Sequence, residues 1–289
     1  MDDVRDRFAA LVTGTFDVSR QESRWLALAD DVVAFAVDDD AGWRRLESEG
    51  WLLDRWRSAG VPAPRVIGED PRLRVQVRER MHGITGPTIE PRLFGREPPD
   101  AWGRYADAPL TPFGERLAAS YGDLARKIRS AASAADASAA GIGLCRRRAL
   151  DLDDAIARLH ASSASAAAKL AADRVRPWLA DVPPPDAVIH ADLHFWNLCL
   201  ADNGSIVGVF DLDYSGIDCA ATEFLYVHSL GPRFVATALA AYGDINLEDV
   251  RRAHVREALG HLYWHPPGTE RHVSIVGWVT AALECLVPQ

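Results

Sequence analysis

Lysine is almost missing from this chain. Of its 32 basic residues only Lys127 and Lys169 are lysines, and the first 126 positions hold none. Any cation needed in the N-terminal third must therefore come from arginine. Cysteine is also sparse: Cys145, Cys199, Cys219 and Cys285 stand apart, with no C-x-x-C pair. Such spacing argues against a zinc ribbon or a disulfide framework and favours a reducing, cytoplasmic setting. No apolar run approaches the roughly 18 residues that span a bilayer. The N-terminus, MDDVRDRFAALVTG, is acidic where a signal peptide is basic. A net charge of −9 is the wrong sign for a nucleic-acid binder. Neither nucleic acid nor a membrane is expected as a partner.

What remains is a soluble globular composition over 289 residues, enough for two modest lobes. Residues 4–12 read as a short helix. The stretch RWLALADDVVAFAV (24–37) reads as two strands about a turn at Asp30-Asp31. In 41–60, Trp43, Leu46, Trp51, Leu52, Leu53 and Trp56 recur near helical spacing, and Gly60 closes the run. The proline-punctuated VPAPRVIG is an extended connector, and RLRVQVRERM alternates as a strand. The order strand, strand, helix, strand predicts a small antiparallel sheet with one helix over residues 1–83. From Gly83 to Pro112, glycine, proline and charge predict a hinge and a long loop. Helices are predicted over 114–132, 149–180, 219–230, 232–242, 247–263 and 272–286, with a small β insert near 190–210. The fold class is α+β, with residues 84–289 forming a larger, mainly helical lobe.

The insert carries the chemistry. HADLHFWN (190–197) precedes an apolar hairpin that ends in FDLDY, gathering His190, Asp192, His194, Asn197, Asp211 and Asp213 into 24 residues. LCL (198–200) and IVGVF (206–210) are joined through Asn203-Gly204, a strong hairpin-turn signal. Antiparallel pairing makes Asn197 and Asp211 cross-strand neighbours with Cα atoms roughly 5 Å apart. An amide oxygen and a carboxylate at that separation suit one hard cation, best Mg2+, whose remaining ligands are waters and substrate phosphates. Asp192, beside such a site, is positioned to take a proton from a substrate hydroxyl. Base, amide ligand and acidic ligand together are what phosphoryl transfer requires.

HADLHFWN followed by VFDLDY resembles the H-x-D-x-x-x-x-N and (I/V)-D-(W/F)-(E/D) pair of the aminoglycoside phosphotransferase/choline kinase family, relatives of the protein kinases. RRLESEGWLLDRWRSAGVPAPRV resembles the family's helix and connector, and RERMHG its hinge between lobes. The likeness implies a bilobal, protein-kinase-like fold whose N-lobe, 1–83, binds the nucleotide and whose C-lobe, 84–289, holds the catalytic loop, metal and acceptor. It implies that Asp192 is the catalytic base and that His194 lies near the transferring phosphate. Asn197 and Asp211 fall on the Mg2+ ligands. Glu49 matches the helix glutamate that pairs with a nucleotide-contacting lysine. Glu79 to Gly83, Met81 included, match the hinge that meets the adenine or guanine ring. The implied reaction moves the γ-phosphate of ATP or GTP to a hydroxyl of an antibiotic, amino-alcohol or sugar. A cationic acceptor agrees with a C-lobe holding 25 acids against 19 bases.

Two features depart from that pattern. The family's strand lysine would fall most naturally at Ala36, and VSRQESRWLAL (18–28) lacks the usual glycine of a phosphate loop. Arg20, Arg24 or Arg44 would then have to supply the charge. Two other readings follow. A kinase-like scaffold without nucleotide binding explains the missing lysine. A metal-dependent hydrolase would use His190, His194, Asp192 and Asp211 as ligands. Elsewhere, Arg146–Arg148 read as a solvated helix edge, and Trp264 and His265 as core, with the lining of a substrate pocket as the alternative. Asp218, Glu223, Glu270 and Glu284 are candidates for acceptor contacts.

Overall fold

The computed structural model describes residues 2–21, 23–95, 108–284 and 286. Helix α1 (Asp2–Ala9) leads into strands β1 (Asp17–Gln21), β2 (Arg24–Leu28) and β3 (Val32–Ala36). Helix α2 (Asp40–Ser58) and strands β4 (Val66–Asp70) and β5 (Val75–Glu79) complete a five-stranded antiparallel sheet of order β1-β2-β3-β5-β4. Asp39 caps α2, accepting the Gly42 N–H at 2.7 Å. The sheet's two faces are set by strand alternation. Ala27, Ala34, Ala36, Val75 and Val77 close onto Val4 and Phe8 of α1. Leu26, Val33 and Phe35 line the opposite face, above the cleft.

The strand, strand, helix, strand reading thus recovers β2, β3, α2 and β5 and misses two strands. Both are edges of the sheet. DVSRQ (β1) is mostly exposed and carries no apolar alternation, and β4 pairs with a register shift between Val66 and Gly68. Edge strands need only one partner and little buried surface, so their sequences stay polar.

The helical remainder comprises α3 (Glu90–Phe94), α4 (Pro112–Ala131), α5 (Ala134–Ala139), α6 (Leu152–Ala161), α7 (Ala166–Ala180), α8 (Pro232–Tyr242), α9 (Leu247–Trp264) and α10 (His272–Glu284). The predicted long loop after Gly83 holds a 3-10 turn at Gly86–Thr88 and α3; positions 96–107 lie outside the described residues. The single run read over 149–180 breaks at Ser162–Ser165, where Ser165 caps α7. The helix expected over 219–230 is instead two 3-10 turns, Ala220–Phe224 and Val227–Leu230. Helices α4 and α8 touch at Gly122, where a Cβ would sit 1.9 Å from the Ala238 carbonyl oxygen. Only glycine permits that approach.

Two short ribbons, β6 (Ala187–Ile189) with β9 (Gly216–Asp218) and β7 (Leu198–Leu200) with β8 (Ile206–Val209), carry the polar cluster. They rest on the main core, whose anchors include the fully buried Trp56 and Tyr121. Trp56 comes from α2 and stacks on His190 with ring centroids 5.7 Å apart, so the N-lobe helix supports the loop directly. Among the described residues no helix is long and apolar enough to cross a membrane.

Candidate active site

The loop leaving β6 turns sharply. Ala191 sits in the left-handed region, φ 62°, which costs a non-glycine residue on the order of 1–2 kcal/mol. Three hydrogen bonds hold it there. The Arg147 Nε–H donates to the Ala191 carbonyl at 2.7 Å, and the buried Glu223 carboxyl accepts the His190 N–H, also at 2.7 Å, and the Ala191 N–H. The strained turn presents Asp192.

Four side chains surround the Asp192 carboxylate. Its Oδ1 accepts from Arg147 and from the Tyr226 hydroxyl at 2.9 Å. Its Oδ2 accepts from the Asn197 amide at 2.8 Å and lies 3.4 Å from His194 Nε2. Burial opposes the charge, but the hydrogen bond from His194 and the Arg147 guanidinium outweigh it. The carboxyl is held well below the usual range. His194 is the most exposed of the partners and also caps the 3-10 turn Phe195–Asn197. His190 is fully buried, and both ring nitrogens are engaged, by the Asp192 N–H and the Phe210 carbonyl. Burial pushes its pKa down, so the ring is neutral.

The hairpin forms as read, one residue out of the expected register. Phe210, not Asp211, lies opposite Asn197, its N–H donating to the Asn197 carbonyl at 3.1 Å. Asp211 follows with φ 64°, a conformation aspartate tolerates, and turns toward the cleft with its carboxylate 42 % exposed. There it meets Arg24 Nη2 at 3.0 Å, while Asp213 Oδ1 lies 2.8 Å from the same nitrogen and 3.0 Å from Arg45 Nη2. Glu49, from α2, is buried and bonded to Arg78 at 2.7 Å and Arg24 at 3.3 Å. Burial opposes its charge, but Arg78 and Arg24 lower its pKa. It is no solvated helix carboxylate. Glu79 and Met81 border a cavity of about 390 Å³ together with Arg24, Phe35, Arg78 and Asp211. Ala36, the expected lysine position, is 0 % exposed and faces the other way, into the core.

The sequence model described as the phosphotransferase enzyme family matches residues 39–255, three quarters of the chain. This chain belongs to that family. No curated protein matches it. Among solved structures, the macrolide 2'-phosphotransferase MphH of Brachybacterium faecium superposes with a TM-score of 0.64 at 19% identity, covering 100% of both chains. An aminoglycoside phosphotransferase solved with GDP and kanamycin gives 0.61 at 15% identity, covering 98% of this chain and 95% of that one. A choline/ethanolamine kinase family protein of Mesorhizobium loti gives 0.61 at 18%, covering 97% and 92%. At these identities the likeness establishes a shared bilobal, kinase-like fold.

Within this family member the sequence reading missed a second tier of residues. Arg147, read as solvated, is buried. Besides Asp192 and Ala191 it binds Glu257 and the Tyr226 hydroxyl, and its guanidinium lies 4.3 Å from the Tyr214 ring centroid. Arg148 pairs with buried Asp218 at 2.6 Å. Glu223 lies under the loop and Asp218 in that ion pair, while Glu284 accepts from Ser165. None of these three contacts Asp192; Asp218 also lines the cavity behind Arg147. Trp264 is 59 % exposed rather than core, and with Tyr263 it borders a cavity of about 560 Å³ behind Arg147. The sequence hint was weak: three successive arginines on a segment without helical periodicity.

Glu223 also gives a stability signature. Its Oε1 is buried without a hydrogen-bond partner, and burial raises the carboxyl to about 8, against the loop N–H groups that lower it. A folded-state pKa above the unfolded value of about 4.3 contributes stability that is full at low pH and lost as pH rises through about 8. Glu223→Gln should therefore flatten the decline in unfolding free energy between pH 5 and pH 8 (urea melts across that range, about four buffers). An unchanged slope would mean that Glu223 is ionised throughout.

Proposed function

We propose that this chain is a Mg2+-dependent kinase that transfers the γ-phosphate of ATP or GTP to a hydroxyl of a small molecule. One juxtaposition carries the reading. The Asn197 amide donates to Asp192 Oδ2 at 2.8 Å, while the hairpin beginning at Asn197 delivers Asp211 to the cleft that Glu79 and Met81 border. In this reading residues 1–83 bind the nucleotide, with the Glu79–Met81 backbone along its base, and residues 84–289 bind the acceptor. Asp192 orients the acceptor hydroxyl and takes its proton. His194, beside Asp192 at the solvent edge, meets the transferring phosphate.

The donor set fits magnesium. Asn197 spends its amide nitrogen on Asp192, which leaves its amide oxygen for a cation, and Asp211 offers an exposed carboxylate. One or two such oxygens with phosphates and water are what Mg2+ takes. When bound, the ion supplies neutralisation of the phosphate charge. The hydrolase reading has less support: both His190 nitrogens are committed within the protein. Among the described residues no group of three or more His, Cys, Asp or Glu side chains is arranged to hold a metal.

The family and its neighbours support an acceptor among antibiotics or amino-alcohols and sugars. Similar folds carry a macrolide phosphotransferase, a kanamycin complex and a choline/ethanolamine kinase family protein. A cationic acceptor agrees with the acidic balance of the C-lobe. The cavity behind Arg147 has arginines as well as carboxylates on its wall, so local charge there does not choose. The free thiols Cys145, Cys199 and Cys219 support a reducing, cytoplasmic setting.

Mg-ATP or Mg-GTP should raise the melting temperature, because a ligand that binds only the folded state stabilises it. ADP or GDP release should then appear with one member of a panel of aminoglycosides, macrolides, peptide antibiotics and amino-alcohols. Indifference to both nucleotides would favour a scaffold that no longer binds them.

A further inference from the structure

The cation that meets the nucleotide's phosphates has not been assigned, and the sheet narrows the choice. Strand alternation points Ala34 and Ala36 into the core and leaves Val33 and Phe35 facing the cleft. The β3 position directed at Glu49 and Asp211 is therefore Phe35, an uncharged ring. Two guanidiniums flank it, Arg24 from β2 and Arg78 from β5, each 4.6 Å from the ring centroid.

The two arginines are not equivalent. Arg78 is fully engaged within the lobe, its Nε–H donating to Gln76 at 2.8 Å and its Nη2 to Glu49. It neutralises Glu49. Arg24 reaches across the cleft, touching Glu49 with one terminal nitrogen and Asp211 and Asp213 with the other. Its buried Nε–H has no acceptor, a donor kept out of water without a partner. Burial works against the Arg24 cation, and Glu49, Asp213 and Asp211 together outweigh it. The other two candidates are turned away. Arg20 is tied to Asp38 at 2.7 Å over the Trp25 ring, and Arg44 bonds the Asp40 carbonyl of its own helix.

We propose that Arg24 binds the phosphate chain of the nucleotide, with Phe35 as the platform that sets its guanidinium beside Asp211. Arg78 makes the closer pair with Glu49, at 2.7 Å against 3.3 Å for Arg24, so Glu49 stays neutralised when Arg24 turns to phosphate. A guanidinium presents several donors in a fixed fork suited to phosphate oxygens, and the idle Nε–H is one of them. The proposal rests on the kinase reading given above.

The test compares binding of ATP, ADP and adenosine, without magnesium, by calorimetry. Arg24→Met should weaken ATP and ADP by about 10- to 100-fold, as expected for a lost charge-assisted hydrogen bond, and leave adenosine unchanged. Moving the cation should restore it: Arg24→Met with Phe35→Lys should recover most of the lost ATP affinity. Equal weakening of adenosine and ATP in Arg24→Met would reduce Arg24 to a structural residue and overturn the proposal. So would a folded double variant that binds ATP no better than adenosine. Wild-type protein that binds neither ATP nor GTP would overturn this proposal together with the kinase reading. Wild-type binding that Arg24→Met leaves intact overturns this proposal alone.

Discussion

Asp192→Asn should lower turnover by about 10²- to 10⁴-fold, the range for removing a positioned general base, and leave nucleotide affinity near that of the wild type. The substitution keeps the shape and most contacts. An amide oxygen at the same place still accepts from Asn197, while Arg147 retains Glu257 and Tyr226. The ability to hold the acceptor's proton goes, together with the charge and one of the two acceptor oxygens. The carboxyl it replaces is held well below the usual range, so Asp192 is ionised throughout the working pH range. A base so weak cannot strip the hydroxyl early. It suits a loose phosphoryl transfer, in which the proton leaves late. Two measurements follow: single-turnover phosphate transfer for Asp192→Asn, and a kcat/KM profile in which any acid limb above pH 5 belongs to another group. Turnover at the wild-type rate in Asp192→Asn would remove the base assignment.

How much of this was legible in the sequence follows the distance along the chain between partners. The catalytic loop and hairpin lie within 24 residues and are tied by one turn, Asn203-Gly204, so local rules sufficed to gather Asp192, His194, Asn197 and Asp211. Even there the pairing was one residue out, because the second strand ends at Val209 and was read through Phe210. Glu49 could be found on its helix, but its partners Arg24 and Arg78 lie 25 and 29 residues away on strands of either side. VVAFAV gave no means of choosing which face met the cleft. Both of its alternating sets are apolar, so Phe35 and Ala36 read alike until α1 covered one face. Helix α1 was visible; that it covers the alanine face was not.

Arg147→Met should be the most damaging change outside the proposed chemistry. Arg147 meets Asp192, Tyr226 and Glu257 across sequence separations of 45, 79 and 110, which is why no spacing rule could find it. Removing one partner of a buried ion pair leaves an uncompensated charge and typically costs about 3–5 kcal/mol. For a chain of this size that is a fall in melting temperature on the order of 10 °C. The dependence on pH separates this cause from lost packing over Tyr214. In the wild type Arg147 helps hold Asp192 and Glu257 below their ordinary range against burial. Their contribution is then present above the unfolded pKa, about 4, and is lost only in stronger acid. Without the guanidinium both carboxyls lose part of what holds them down, with His194 and His261 still in place, and their pKa values rise. The charge part of the gap between variant and wild type should therefore be full at neutral pH and narrow as pH falls into the carboxylate range. A gap constant from neutral pH down to the acid transition would assign Arg147 to packing alone. Arg147→Lys should recover only part of the stability, because one ammonium cannot span acceptors that a planar fork reaches from three nitrogens.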